Sequence, residues 1–527
     1  MPEVDTRPRV GPAEILAFAA GRFPHKVGLV AGGRRLTYAE LDASARRVSV
    51  ALRDAGIGAG DVVSLYGQNS WQWVVSYHGI LRAGAVANPV NVMLTGPELE
   101  FVLRDCEARA VFVGHEQTAV AVASAVVVET LGLVVTFADE AISGAVSFDS
   151  FVESADADRP AVARPRPTDL CSIGYTSGTT GHPKGAMQSH QAVLLNCAYT
   201  AAMHGRTADD VVLTALPAPH VYGNVAINST FLVGGTVVLM DRFDAGAALQ
   251  AIQSERATMF EGVPAMYSMM LAHNMIGRSD LTSIRVSTVG GQTFPPSVLE
   301  EWQALTGKPM LELWGMTEIA GLGATHTLYA PGVPGSIGVS LPGTELCIRA
   351  LDGSGESPVG EAGELMVRGP LVMLGYYRNV DATDEVLQSD GWLRTGDIAT
   401  VDSTGHYFVV DRMKDMLITG GYNVYPAEIE RVVGAHPDVA MVAVGRRPDD
   451  VRGEVAVAYV VAKAGTSPTM ESILQFCKAD LAAYKRPRDV VFIDDLPKTS
   501  SGKLMRRKLF ELDPAPANHR QTMRRTL

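Results

Sequence analysis

Apolar residues along this chain come in short runs separated by polar segments with capping residues and glycines, first at a strand–helix rhythm. Asp61–Tyr66 is a β-branched run that reads as a strand. Ser70 is placed to cap a helix continuing through Ala83, Gly84 to end it, and Ala85–Pro89 to return to extended chain. Pro97–Cys106 reads as a further helix and Ala110–Val113 as another strand. Asp156–Asp169, with three prolines and several charges, reads as a surface connection between two subdomains. Beyond it the rhythm resumes: strand Leu170–Gly174, strand Ala257–Phe260, a helix from Pro264, strand Ile284–Val289, helix Pro295–Leu305 closed by Gly307, and strand Met310–Leu313. From about residue 335 strands with Gly-rich turns take over: Glu345–Arg349, Glu364–Arg368 and His406–Val410. Val439–Gly445, Glu454–Val461, Met470–Ala483 and Asp489–Ile493 read as a small α+β domain. Helices between short parallel strands predict a doubly covered α/β sheet in the first part.

Composition narrows the class. The chain has 527 residues, 47% of them hydrophobic and 19% charged, enough apolar material for several cores and too much for a disordered chain. Its net charge of −12 argues against nonspecific nucleic-acid binding. Five scattered cysteines form no C-x-x-C pair, which points to free thiols in a reducing cytoplasm, not to zinc or a disulfide framework. The most lipid-like stretch, Ala119–Val128, is half the length of a spanning helix, so no integral membrane segment is expected. Gly56–Gly60 is glycine-rich, but it precedes its strand and lacks dinucleotide-loop spacing, so it reads as a turn.

Tyr175–Gly185 carries the strongest chemical signal. Thr176, Ser177, Gly178, Thr179, Thr180 and Gly181 precede Lys184, so hydroxyls and glycine amides can converge on a polyphosphate while the lysine adds charge. The Walker spacing is absent, because Lys184 lies between Pro183 and Gly185.

Here the chain resembles the acyl-adenylate-forming superfamily, the AMP-binding enzymes that include acyl- and aryl-CoA ligases, luciferases and adenylation domains. Motifs in matching order run from Leu36–Leu41 to Lys503. The resemblance implies a large N-terminal α/β domain, residues 1–412, with two doubly covered sheets and a small β-rich subdomain. It further implies a small mobile α+β C-terminal domain, residues 413–527, turning about a hinge at Lys414. It implies ATP, Mg²⁺ and CoA: a carboxylate attacks the α-phosphate to give acyl-AMP and pyrophosphate, and a thiol then takes the acyl group.

The resemblance also assigns roles. In Leu313–Glu318, Trp314 would lie beside adenine with Gly315 and Met316, Thr317 would contact phosphate, and Glu318 would hold Mg²⁺, a hard cation suited to carboxylate oxygen. Gly291 and Gln292 would flank adenine and the acyl pocket. Asp397 would accept both ribose hydroxyls, and Arg412 would contact the nucleotide. Gly420, Gly421 and Tyr422 would pass the pantetheine arm of CoA. Lys503 would bridge carboxylate and α-phosphate. The basic run Met505–Lys508 reads as a solvated helix face, with CoA phosphates as the alternative.

His220, Gly223, Val263, Gly291, Gly315 and Gly321 would border the acyl pocket. No Asp lies between Asp210 and Asp241, which weighs against amino-acid substrates. Small and apolar residues around the pocket favour a monocarboxylic acid with an apolar tail. A medium- or long-chain fatty acid is the first expectation and an aryl acid the second; an amine acceptor, giving an amide, is the other alternative. The partner is thus a small-molecule acid, and a homodimer is compatible with the resemblance.

Overall fold

Local chemistry and strand pairing together set the architecture of the computed structural model. It describes residues 11–140, 142–156, 159, 165–176, 183–292, 296–330, 332–419, 422–449, 451–497, 504 and 506–512. Helix starts follow their caps. Thr37 and Glu40 form a reciprocal capping box at the head of helix Tyr38–Asp54. The Ser70 hydroxyl accepts from the Trp73 amide and opens helix Trp71–Arg82. Gly84, at φ +80°, takes the left-handed conformation that ends that helix.

The chain divides into two compact units, Met1–Leu346 with Val367–Arg394, and Cys347–Met366 with Thr395–Leu527. Among the described residues the first unit holds two large sheets. A seven-stranded sheet runs Val146–Ser147, Leu133–Thr136, Ala110–Val113, Val62–Tyr66, Val86–Pro89, Leu170–Thr176 and Lys184–Ser189, parallel except for the last pair. A nine-stranded sheet has Val211–Thr214, Met259–Gly262, Val286–Gly290 and Met310–Met316 as parallel neighbours. Both of its faces are covered. Tyr38, Val237 and Phe231 belong to the core on one side, and Phe260, Tyr267 and Trp302 to the core on the other. Near-continuous apolar strands are what two buried faces require.

Two features depart from the sequence reading. Asp156–Asp169 was expected to join subdomains, yet the strands before and after it, Val146–Ser147 and Leu170–Thr176, lie in the same seven-stranded sheet. Parallel pairing of Leu170–Thr176 with Val86–Pro89 needs a long crossover, and this segment supplies part of it. Strand Met310–Leu313 continues through Met316, so Trp314 and Gly315 are strand residues, paired antiparallel with Gly321–Thr325.

In the second unit, strands Tyr422–Val424, Leu417–Thr419, Gly453–Ala462, Val439–Asp449 and Asp489–Phe492 form one sheet. Helices Pro426–Gly434 and Met470–Asp480 pack on it through Ile429, Val433, Ile473 and Cys477. A four-stranded sheet of Glu345–Arg349, Gly363–Arg368, Leu393–Val401 and Tyr407–Arg412, most of whose residues also belong to this unit, supplies the strands with Gly-rich turns. Among the described residues no helix is long and apolar enough to cross a membrane.

Candidate active site

In the first unit, the ends of strands Leu170–Thr176 and Lys184–Ser189 meet the 3₁₀ turn Thr317–Ile319. Thr176 pairs with Lys184 across the antiparallel ladder. Gly174 sits against the turn so closely that a Cβ there would lie 2.6 Å from the Thr317 methyl. Gln188, held by the Ser172 hydroxyl at 2.6 Å, donates to the Thr317 carbonyl at 2.9 Å. Thr317 and Glu318 are thereby fixed beside the strand ends that carry Thr176 and Lys184.

Glu318 is buried. Its Oε1 accepts from the Tyr376 hydroxyl at 2.9 Å, and its carbonyl accepts from the Met373 amide at 2.8 Å. The Lys184 ammonium lies 5.4 Å from the centroid of the Tyr376 ring and 3.8 Å from Glu385. Burial, then the Glu318 carboxylate, raises the Tyr376 phenol above its ordinary range, so it stays a donor to the carboxylate. Tyr376 went unread in the sequence. The nearest signal is the aromatic pair Tyr376–Tyr377 after Gly375, with nothing local linking it to a carboxylate 58 residues away.

These residues fit a magnesium nucleotide. A single buried carboxylate beside a lysine suits a cation that keeps most of its water and shares the rest of its shell with phosphate oxygens. Among the described residues no group of three or more His, Cys, Asp or Glu side chains could hold a metal ion by itself.

The expected acyl and adenine residues fall at the C-terminal ends of the parallel strands. Gly291, at φ +88°, follows strand Val286–Gly290, and a Cβ built on it would meet only the Val263 methyl, at 3.8 Å. Gln292 is next and half-buried. His220 is the N-cap of helix Val221–Val233, its Nδ1 accepting from the Tyr222 amide at 3.3 Å. Gly223, Gly315 and Gly321 serve close packing on their Cβ side. Added Cβ atoms would lie 2.2 Å from the Pro217 carbonyl, 2.1 Å from the Gly321 carbonyl and 2.6 Å from Asn196. Trp314 is buried, its ring filling the space a Gly323 side chain would need. Met316 caps the 3₁₀ turn.

In the second unit, Asp397 and Arg412 are register partners of strands Leu393–Val401 and Tyr407–Arg412. The Arg412 Nε lies 2.6 Å from Asp397 Oδ1; the aspartate side chain is 1% exposed and the arginine 45%. Lys414 is exposed in the 3₁₀ turn Met413–Asp415. Tyr422 is 59% exposed, and its ring stacks on Tyr484 at 4.7 Å.

Within the basic run Arg506 departs from the solvated-face reading, while Lys508 is exposed. Arg506 binds Glu430 at 2.5 Å and Asp415 at 3.3 Å, with Asp411 at 4.0 Å, and its side chain is only 22% exposed. Asp411 in turn accepts from the Ala427 amide at 2.7 Å, at the head of helix Pro426–Gly434. The acidic partners are spread over 411–430, so only the fold assembles them around one arginine. Ser177, Gly178, Thr179, Thr180, Gly420, Gly421 and Lys503 lie outside the described residues.

Comparison with known proteins shows the family. Residues 16–377 match the AMP-binding enzyme family, and residues 428–503 its C-terminal domain. The indoleacetate–CoA ligase of Aromatoleum aromaticum is 37% identical, over 92% of this chain and 94% of its own. The long-chain-fatty-acid–CoA ligase of Bacillus subtilis is 31% identical, over 94% and 93%. The crystal structure of an anthranilate CoA ligase in complex with anthranoyl-AMP superposes with a TM-score of 0.90 at 29% identity, covering 96% of this chain and 98% of that one.

Proposed function

Since the chain belongs to the AMP-binding enzyme family and is an ATP-dependent, AMP-forming acyl- or aryl-CoA ligase using Mg²⁺, we propose that its substrate is an apolar monocarboxylic acid bound beside His220, Val263 and Gly291. The observation that carries this reading is at Gly291: a Cβ built there would meet one apolar group, the Val263 methyl, at 3.8 Å. A second carboxylate would need a cation. The buried arginine on that side, Arg206, is already neutralised by Glu261. The proteins named indoleacetate– and long-chain-fatty-acid–CoA ligase lend the reading support, since each acts on such an acid.

The chemistry asks for alignment and charge neutralisation, because an anion must approach a polyanion. We assign Thr176, Ser177, Gly178, Thr179, Thr180, Lys184 and Thr317 to the phosphates. Glu318 would hold Mg²⁺, which when bound offsets phosphate charge. Tyr376 keeps that carboxylate oriented through its hydroxyl. Gly291, Gln292, Trp314, Gly315 and Met316 would border the adenine, Asp397 would take the ribose hydroxyls, and Arg412 would hold Asp397 in place and meet the nucleotide. Lys503 would bridge the acid and the α-phosphate. For the second half-reaction we assign Gly420, Gly421 and Tyr422 to the thiol arm, with residues 413–527 turning about Lys414.

The test is pyrophosphate release with ATP, Mg²⁺ and a panel of acids, with and without CoA. CoA-stimulated turnover confined to apolar monocarboxylates is expected. Preference for dicarboxylates would overturn the substrate assignment. Release without CoA stimulation would move the search to an amine acceptor.

A further inference from the structure

A buried polar layer lies directly below the proposed acyl residues. Thr214, Glu261 and Thr288 are register partners on three adjacent strands, so their side chains share one face of the nine-stranded sheet. Helix Val221–Val233 packs on that face. The Tyr222 hydroxyl and the Thr288 hydroxyl are 2.7 Å apart. Arg206 pairs with Glu261 and also donates to the Ala226 carbonyl at 3.1 Å and the Thr230 hydroxyl at 2.7 Å. The Arg206 and Glu261 side chains are 0% and 1% exposed. One residue further along the strands stand Gly262 and Val289, and then Val263 and Gly290. At about 3.3 Å per residue, the ion pair is roughly 6–7 Å beneath the Val263 level.

This layer bears on acid length. Tyr222 lies in the first turn of its helix and Thr230 two turns on, so the helix runs from the acyl residues back along the sheet. An acyl tail entering between helix and sheet meets Tyr222 on Thr288 and, at the same strand level, the Arg206–Glu261 pair. Separating two buried opposite charges leaves each uncompensated, and an alkyl chain offers neither a partner. Glu261 Oε2 and Arg206 Nε already lack hydrogen-bond partners, so the pair has little to spare.

We propose that Tyr222, Thr288 and the Arg206–Glu261 pair form the floor of the acyl site and limit the substrate to a compact acid: an aryl or arylacetic acid, or a short alkanoic one. The proposal rests on the apolar-acid reading above and turns it from the fatty-acid expectation toward the aryl one. The signal in the sequence is a lone glutamate inside an apolar strand, Met259-Phe260-Glu261-Gly262-Val263.

The experiment is kcat/KM of the full chain with ATP, Mg²⁺ and CoA for benzoate, phenylacetate, hexanoate, dodecanoate and palmitate, with malonate and succinate alongside. The best compact acid is expected to exceed palmitate by about tenfold or more, since pocket size discriminates on that scale. Palmitate or dodecanoate equalling it overturns the floor. A preference for malonate or succinate overturns instead the apolar-acid reading beneath it. A double variant, Arg206→Met with Glu261→Leu, removes both charges and keeps apolar volume. Its palmitate-to-phenylacetate ratio should rise by about tenfold; a folded double variant with an unchanged ratio overturns the proposal. Should that variant fail to fold, Tyr222→Ala opens the same floor, and the same two outcomes decide.

Discussion

The Tyr376 hydroxyl donates to Glu318 Oε1 at 2.9 Å, while the Lys184 ammonium stands over the same tyrosine ring. One aromatic side chain thus touches both the carboxylate assigned to Mg²⁺ and the cation assigned to phosphate. A hydrogen bond to a charged group contributes about 1.5–3 kcal/mol. Tyr376→Phe should therefore lower adenylation by about tenfold or more and raise the Mg²⁺ concentration needed for half-maximal rate. Pyrophosphate release titrated with Mg²⁺ measures both. Glu318→Gln should cost more than Tyr376→Phe, and an equal or smaller loss would count against the metal role.

Asp397 is buried and Arg412 half exposed, so their pair is lopsided. Removing the arginine leaves a desolvated carboxylate, whereas removing the aspartate leaves a cation that water can solvate. Arg412→Ala should lower stability by about 1–3 kcal/mol and weaken ATP binding together. Asp397→Asn should spare more of the stability while raising the KM for ATP through the lost ribose contacts. Thermal unfolding with ATP kinetics separates the two.

Two glycines of the proposed pocket should behave oppositely. A methyl on Gly315 would sit 2.1 Å from the Gly321 carbonyl, so Gly315→Ala must push two paired strands apart and should cost several kcal/mol, about 3 or more. A methyl on Gly291 meets only Val263 at 3.8 Å, leaving the strain of φ +88°, about 1 kcal/mol. Gly291→Ala should stay folded and shift kcat/KM among acids, with bulky acids losing most. Melting curves and a substrate panel would show whether the two sites divide this way.

Burial pushes the Glu312 carboxyl up from 4.5 to about 7, against the Gly335 amide that donates to it at 2.9 Å. The folded chain thus binds this proton more tightly than the unfolded chain does. That stabilisation is complete below about pH 4.5 and is lost as pH rises through about 7. Glu312→Gln keeps an acceptor for Gly335 and removes the charge. It should match the parent at about pH 5 and exceed its stability by about 1–3 kcal/mol at about pH 8. Parallel pH–melting profiles would disprove this.

The two half-reactions should come apart by mutation. Lys503→Ala should reduce adenylation by about a hundredfold or more while largely sparing thioester formation from supplied acyl-AMP. Gly421→Leu should do the reverse by obstructing the thiol. Equal loss of both steps in either variant would contradict the assignment of 413–527 as a turning domain.

Much of this could be read without coordinates, for a definite reason. Caps, alternation and helix-ending glycines act within a few residues, so Thr37, Ser70 and Gly84 mark their elements in the sequence itself. Thr176, Lys184, Thr317 and Glu318 stand in segments the sequence marks locally, by hydroxyls, glycines and charges in close spacing, and the fold brings those segments together. Tyr376 was not, since a tyrosine after a glycine carries no sign of the carboxylate it will meet.

Sequence by itself determined the family and the class of reaction, because those are carried by contiguous motifs. Tertiary structure alone decided which side chains meet across the folds of the chain. Strand pairing placed Glu261 beside Thr288 and set Arg206 against both helix and sheet. It brought Arg506 into the acids at 411–430 and turned Gly223, Gly315 and Gly321 into points of close packing. Most of these contacts join residues tens of positions apart or more, as Gly321 with Asn196 and Arg506 with Glu430. Their partners are set by register and helix docking, which no local pattern of side chains specifies.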